Sequence, residues 1–366
     1  MGEEKKFGYA IDFLPVGNGE KSGDAIAVRY GYPGEYKIMV IDGGTKESGQ
    51  ALVDHIKTYY KTDHVDYVVN THPDADHASG LSVILEQMSV GELWIHRPWE
   101  HSSEIRDLFK DGRITDNSLS ERLKDALNAA YALEELAEEK GVTIKEPFTG
   151  SEIGDFTILS PSEEWYLEVV PQFNKTPEAK AQEQSSFAGT LIGMGKSLVE
   201  KVAQFIEETW DLETLKEGGT TAAENLSSVV LYANLDGRGI LFTGDAGIDS
   251  LNRAADYAES KGTDLAKCKF LQIPHHGSRN NVSPSVLDRI VGIKIGIDSR
   301  PTKTAFVSAA KDSKTHPRKV VTNAFKRRGA DVIATQGNIK VSYHNMAQRE
   351  GWVTAEPLPF YEEVEE

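Results

Sequence analysis

Four side chains able to hold a metal lie within six residues in Thr71-His72-Pro73-Asp74-Ala75-Asp76-His77. Imidazole nitrogens and carboxylate oxygens are common ligands of divalent transition metals. Two carboxylates this close repel each other, and burying them without a cation is costly. The alternative is a solvated polar loop whose Asp residues cap the next helix. Two later segments have the same character: Leu241-Phe242-Thr243-Gly244-Asp245 and Leu271-Gln272-Ile273-Pro274-His275-His276-Gly277-Ser278. Alone, the first would be a turn, and the second a packed His beside an exposed one. Together the three segments are apolar runs that each end in metal-type ligands, and loops on a rigid sheet are where binding groups are usually placed.

The elements that would position them follow from periodicity. YAIDFL, DAIAVRY, YKIMVID and VDYVVNT are β-branched or aromatic runs bounded by turn residues or charges, which predicts strands. The spacing predicts helices over 50–60 and 79–88, and a single one over 118–140 that stops at Gly141. The short runs VTIKEP and GDFTILS follow. Residues 162–224 read as an insertion or lid, with its best helix at 198–215. Strands resume at SSVVLYAN and GILFTGD, joined by an Asp236-Gly237 hairpin turn. A helix near 248–260 is followed by strands at KFLQIP, IKIGID, TAFVSA, DVIAT and IKVSYH. The acidic end, about 355–366, reads as disordered. Interleaved strands and helices predict one α/β domain over 1–366.

Composition narrows the function. The chain has 366 residues, 39% hydrophobic and 27% charged, with a formal net charge of −17. That excludes wholesale wrapping of nucleic acid or docking on an anionic membrane, but not a local basic site. No run reaches the ~20 apolar residues of a membrane span, and no secretory signal is visible. A single cysteine, Cys268, excludes an intrachain disulfide and a Cys-rich zinc site. A cytoplasmic location is expected. Residues 300–328 hold nine basic residues against Asp312 alone, and Arg279 adds another. A basic patch beside a metal site would favour a polyanionic substrate. The alternative is a helix, about 317–328, that buries Val320, Val321, Ala324 and Phe325 and is capped by Gly329. Pro317 suits a first helical position, which would gather Lys314, Arg318 and Lys319 around a helix N-terminus favourable to phosphate.

His72-x-Asp74-x-Asp76-His77 resembles the HxHxDH signature of the metallo-β-lactamase superfamily, with Asp74 in place of the second His. The HPDxDH variant, the Asn225–Val229 stretch, TGD and HHGS resemble the hydrolase domain of the competence protein ComEC. Val16-Gly17-Asn18-Gly19 through Gly23-Asp24-Ala25 is similar to that family's VGQGDA, interrupted by Glu20-Lys21-Ser22. Ile41-Asp42-Gly43-Gly44, Thr315-His316-Pro317 and Ala334-Thr335-Gln336-Gly337 match further elements. The resemblance spans about 7–100, 142–161 and 225–343. It leaves 101–141 and 162–224 as insertions, and the membrane channel of ComEC has no counterpart.

The resemblance implies an αββα sandwich with helical insertions and two divalent metal ions, Mn or Zn, with Mg as an alternative. It assigns His72 and Asp74 to the first ion, Asp76 and His77 to the second, Asp245 to a bridge and His275 to completing a shell. His276, Asn225 and Ser228 are uncertain ligands, and Asp42 is expected to orient a ligating His. Asp76 and His316 are the catalytic candidates, and Lys314, Arg318, Lys319 and Arg279 the substrate-phosphate candidates. The expected activity is that of a phosphodiesterase or nuclease acting on nucleic acid. A small-molecule hydrolase (cyclic nucleotide, nucleotide phosphoester or lactone) and a degenerate binding module are the alternatives.

Overall fold

The computed structural model describes residues 5–19, 23–180 and 205–365. Two seven-stranded sheets face each other. The first has the order β15-β1-β2-β3-β4-β5-β6 and the second β14-β13-β12-β11-β10-β8-β7. In the first sheet, β1 (Gly8–Phe13), β2 (Ala25–Tyr32) and β3 (Glu35–Gly43) run antiparallel, with β15 (Lys340–His344) against β1. Then β4 (His64–Val69), β5 (Ser89–Trp94) and β6 (Thr143–Lys145) continue parallel to β3. In the second sheet, β11 (Arg238–Phe242), β12 (Phe270–Gln272), β13 (Lys303–Val307) and β14 (Ala330–Ala334) are parallel. Antiparallel β7 (Glu152–Ile153), β8 (Phe156–Ser160) and β10 (Val230–Leu235) complete it.

Period-two alternation sorts the side chains into layers. Ile11, Phe13, Ile26, Val28 and Ile41 meet Ile158, Leu231, Phe242, Phe270 and Phe306 between the sheets. Ala25, Ala27, Val40 and Val68 face outward. They lie under α1 (Lys46–His55), α2 (Ala75–Gln87), α3 (Ser102–Ile105), α4 (Asp116–Ala126) and α5 (Asn128–Glu139). α6 (Glu163–Val169) and α7 (Ala223–Leu226) share that core through Trp165, Tyr166, Val169, Ala223 and Leu226, while on the far side α8 (Ile248–Ser260), α9 (Pro284–Ile290) and α10 (Lys319–Arg327) cover Leu241, Leu271, Ala305 and Val332. The result is the αββα layering that the family resemblance implied. None of the described helices is long and apolar enough to cross a membrane.

Several local expectations need correction. The 118–140 helix is two helices broken at Leu127, whose ψ of 36° leaves the helical region. IKIGID is not a strand: the Ile295 N–H is bonded to the Arg327 carbonyl, and Ile293 and Ile297 stand 77% and 67% exposed. Of the helix expected at 198–215, residues 198–204 lie outside the described residues, as does the Glu20–Ser22 interruption. The described remainder begins with β9 (Phe205–Glu207), which pairs with β16 (Glu363–Glu365) as a separate two-stranded sheet. The acidic end is therefore ordered through residue 365, with Val364 fully buried. The Asp236-Gly237 turn is as expected, both residues having positive φ, at 54° and 74°.

Candidate metal centre

The strands that end in candidate ligands are parallel neighbours, and their carboxyl ends open on one side. Asp42 closes β3 with φ of 53°, and its carboxylate holds three groups from the next loop. Oδ1 accepts the Thr71 N–H at 2.8 Å, and Oδ2 accepts the Thr71 hydroxyl at 2.6 Å and His77 Nδ1 at 2.8 Å. Because the Thr71 hydroxyl proton points to Asp42, its oxygen is left to accept from His72 Nδ1 at 3.0 Å. Both rings are thereby turned so that Nε2 faces inward.

A matching arrangement comes from the second sheet. Asn281 donates to the Asp245 and Ala246 carbonyls, and its Oδ1 lies 2.8 Å from His275 Nδ1. His276 Nδ1 lies 3.2 Å from the Ser308 carbonyl. Asp245 is fixed by its own N–H, which donates to Ser228 Oγ at 3.2 Å. The outcome is a convergence on one oxygen. Nε2 of His77, His275, His276 and His72 lie 3.5, 3.6, 3.7 and 3.9 Å from Asp245 Oδ2. Asp245 is 3% exposed, yet its Oδ1 has no partner among the described residues, and neither does His72 Nε2. Ligand atoms of His77, Asp245 and His276 all fall within 4.8 Å of one another.

Buried polar atoms are normally hydrogen-bonded, so such orphans call for an explanation. Bare imidazole lone pairs around a carboxylate are the donor set of a divalent transition metal, and each ring's other nitrogen is held as metal-ligating imidazoles usually are. The residues present therefore fit the expected metal. The local electrostatics reflect the crowding. Burial lowers His77, but the Asp245 and Asp42 carboxylates outweigh it and hold its pKa well above the usual imidazole range. Burial, with His77 alongside, lowers His72. Burial pushes His276 down to about 4. Asp245 stays well below the usual carboxylate range, because the surrounding imidazoles outweigh its desolvation.

The remaining candidates fall into place around this centre. Asp74 occupies the N-cap position of α2, but its side chain makes no capping bond. Its carboxylate lies 3.8 Å from His72 Nε2 and is 45% exposed, so the capping alternative is not realised. Asp76 is half-buried, makes no hydrogen bond or ion pair among the described residues, and acts on His276 through its charge. Gly23 makes its position tolerable: a Cβ there would lie 1.5 Å from the Asp76 carbonyl oxygen. Asn225 donates to Thr221 Oγ1 at 3.0 Å and sits beside His275. His275 and His276 are nearly equidistant from Asp245, so geometry does not prefer His275.

His316 is also at this centre. A Cβ on Gly277 would lie 2.6 Å from Pro317, and the Arg318 N–H donates to the Gly277 carbonyl at 3.1 Å, locking the two loops together. Burial, with Arg318 and His275 nearby, pushes His316 down to about 4. However, α10 begins at Lys319 with Arg318 as N-cap, so Pro317 precedes the helix rather than opening it.

The basic segment differs most from expectation. The Lys319 N–H at the start of α10 is taken by the Glu365 carboxylate at 3.0 Å, and its ammonium lies over the Phe205 and Tyr361 rings. Arg327 and Arg328 are buried in ion pairs with Glu208, Glu213 and Asp288. Lys303 and Lys326 donate to backbone carbonyls. Lys319 is thus engaged within the chain, and among the described residues these basic side chains do not form one continuous patch. Of the phosphate candidates, Arg279 and Lys314 are exposed and Arg318 adjoins His316. The helical alternative holds for the apolar face: Val320, Val321, Ala324 and Phe325 are buried. Its other face is not simply solvated.

Sequence reasoning gave no role to Asp24, Thr71, Gln272 or Asn281. Asp24 is buried, accepts from Gln272 Nε2 at 2.7 Å, and is raised to about 7 by burial. Gln272 in turn accepts the N–H groups of Thr243 and Gly244. Asp24 had a visible signal, its place after Gly23 in a matched segment; Gln272 and Asn281 had none.

Residues 19–159 match the model of the metallo-beta-lactamase superfamily. Over that stretch, which carries His72, Asp74, Asp76 and His77, the chain is similar to that superfamily. No curated protein sequence matches it. Among solved structures, it is similar to the metallo-beta-lactamase fold protein YhfI from Bacillus subtilis, with 9% identity, TM-score 0.39 and coverage of 93% of this chain and 100% of that one. For unliganded yeast PDE1 the values are 11%, 0.40, 90% and 97%. For the metallo hydrolase Igni18 from the archaeon Ignicoccus hospitalis they are 11%, 0.38, 92% and 100%.

Proposed function

We propose that this hydrolase is a metal-dependent phosphodiesterase of the ComEC-like kind, acting on a nucleic acid or a nucleotide phosphodiester. The observation that carries the reading is the convergence of four imidazole Nε2 atoms on Asp245 Oδ2. His72, Asp74, Asp76, His77, Asp245 and one or both of His275 and His276 would hold two divalent ions, Mn or Zn with Mg as an alternative. Bound there, such ions supply an activated water and neutralise charge on the attacking and leaving oxygens. Asp42, Thr71, Asn281 and the Ser308 carbonyl keep the imidazoles turned inward. Asp76, which makes no hydrogen bond or ion pair among the described residues, is our candidate for the base that takes a proton from the attacking water as well as for an ion ligand. His316 donates a hydrogen bond to the leaving oxygen, with Arg318 beside it as the phosphate contact.

One observation favours a small substrate over a long polymer. A cavity of about 260 Å³ adjoins Asp74 and is walled by Leu127, Asn128, Asn174, Lys175 and Glu224, from both insertions. That volume suits a single ring, which is what favours the small substrate. The Mn²⁺-loaded protein should therefore be given plasmid, single-stranded DNA and a chromogenic phosphodiester. Cleavage of DNA supports the nuclease form; cleavage of only the small ester supports the nucleotide form. Inactivity on all three with any of the three metals overturns the proposal.

A further inference from the structure

We propose that a second cavity, on the outer face of the first sheet, binds a nucleoside phosphate. It lies over β15, β1 and β2 beneath residues 346–356, and its volume of about 860 Å³ falls in the range of small-molecule sites, ~300–1,000 Å³. The inference does not rest on the phosphodiesterase reading. Arg29 lies four residues along β2 from Ala25, whose partner Gly43 follows Asp42. About 13 Å of strand therefore separates it from that position.

Charge argues for an anion. Arg349 also lines the cavity, but its guanidinium is paired with buried Asp12 at 2.6 and 2.8 Å. Arg29 has no such partner. Its guanidinium packs against the Tyr36 and Tyr60 rings, at 5.0 and 4.8 Å; its hydrogen bonds are to the Tyr59 carbonyl at 3.3 Å and Met346 Sδ at 3.5 Å, and its buried Nε has none among the described residues. No carboxylate forms an ion pair with it among those residues. A guanidinium has five N–H donors, and a half-buried one with two weak acceptors is poorly satisfied. Lys340 lines the same cavity, and Glu356 is the single acid among its described lining residues. In a chain of net charge −17, this is a local excess of positive charge that an anion would complete.

The walls argue for a planar ring attached to that anion. Tyr59 and Tyr343 line the cavity while remaining 36% and 46% exposed. Trp352 lies edge-on to Tyr59, with ring centroids 5.6 Å apart, and Arg349 sits over both rings at 4.8 Å, so Tyr343 offers the open face. Exposed aromatic faces beside unpaired cations are how nucleotides are captured without sequence preference, the base stacking and the phosphate meeting the cation. Inorganic phosphate would leave the Tyr343 ring uncovered, and an apolar peptide would leave Arg29 without an anionic partner. The nucleotide could be free or one unit of a nucleic acid.

Calorimetry on the intact protein separates these sources, using AMP and a nuclease-resistant phosphorothioate oligothymidylate as probes. Saturable AMP binding that Arg29→Gln weakens about tenfold or more, the loss of one charge-assisted contact, supports a free-nucleotide site. Binding of only the oligonucleotide, weakened in the same way, supports a polymer-binding site. Lys340→Glu should act in the same direction; with an unchanged melting temperature it decides the matter if Arg29→Gln fails to fold. Asp245→Ala should leave this binding intact, which distinguishes it from capture at the metal centre. Failure of both probes to bind at millimolar concentration, or binding unchanged in both variants, overturns the inference.

Discussion

Two charged regions of this molecule follow opposite logic. Around Asp245 the buried polar atoms are left short: Asp245 Oδ1 and His72 Nε2 have no partner among the described residues. Around α10 the buried charges are met. Arg327 Nε and Nη2 donate to the Trp210, Thr209 and Leu212 carbonyls, and Nη1 pairs with Glu208. Arg328 meets Glu213, Asp288 and the Pro284 and Ala324 carbonyls. Both regions are rich in titratable side chains, but unmet donors and acceptors mark a site awaiting something, whereas met ones mark architecture. In the sequence the two are hard to tell apart, because the acids that neutralise the arginines lie 40 to 119 residues away.

The largest effect should come from breaking the first region. His77→Ala and Asp245→Ala should each reduce turnover by about 10³-fold or more, and the double variant should be little worse, because residues acting as a unit are not additive. Asp76→Ala should behave alike. Elemental analysis after Mn²⁺ reconstitution should find metal in the wild type and less in Asp245→Ala. Undiminished metal and turnover in that variant would remove the centre proposed here.

In the second region, Glu208→Ala leaves Arg327 buried and unpaired. Loss of one partner from a buried pair costs about 3–5 kcal/mol, which urea denaturation should detect. Replacing both, with Glu208→Leu and Arg327→Met, should recover only part of it, because the Thr209, Trp210 and Leu212 carbonyls and Asn323 Nδ2 then lose partners. Metal binding by the folded fraction should not change. Reduced metal affinity in these variants would mean that the two regions are coupled.

Asp42→Asn tests the support beneath the first region. It keeps the side chain's shape but weakens its bonds to His77 Nδ1 and Thr71, so metal affinity should fall about 10–100-fold with the fold intact. Titration with Mn²⁺ would show an unchanged affinity if Asp42 were only a turn carboxylate.

What the sequence revealed divides along the same line. The strand-end ligands were legible because each motif is local: an apolar run, a turn and a cluster of donors within a few residues. The layering was legible through the resemblance those motifs carry, since the strands themselves are mostly continuous apolar runs, as β1 and β12 show. Contacts made at a distance were not. Ile293, Ile295 and Ile297 alternate like a strand, but their neighbours hold the segment as a loop, tied through the Ile295 N–H and carbonyl to Arg327 and Trp210. The tail's acidic composition resembles a disordered end, and it is ordered by β9 and α10 far away in the chain. Gln272 reads as one residue of a strand until the fold places its amide between Asp24 and the backbone before Asp245.

The smallest expected effect tests whether the start of α10 is architecture. The carboxylate of Glu365 accepts the Lys319 N–H at 3.0 and 3.1 Å, where the helix dipole favours a negative charge. Glu365→Gln keeps the side-chain carbonyl but removes the charge, so it should cost about 0.3–1 kcal/mol. Lys319→Ala removes a cation from between Phe205 and Tyr361 and should cost about 0.5–1 kcal/mol, as exposed cation–π contacts do. Neither should alter hydrolysis or its salt dependence, since both groups are engaged by the tail. Arg318→Glu, one residue earlier and beside His316, should weaken binding of a charged substrate and flatten its salt dependence. If Glu365→Gln instead strengthened substrate binding, the tail would be occupying a phosphate site in competition with substrate, and the start of α10 would belong with the centre around Asp245 rather than with the buried arginines.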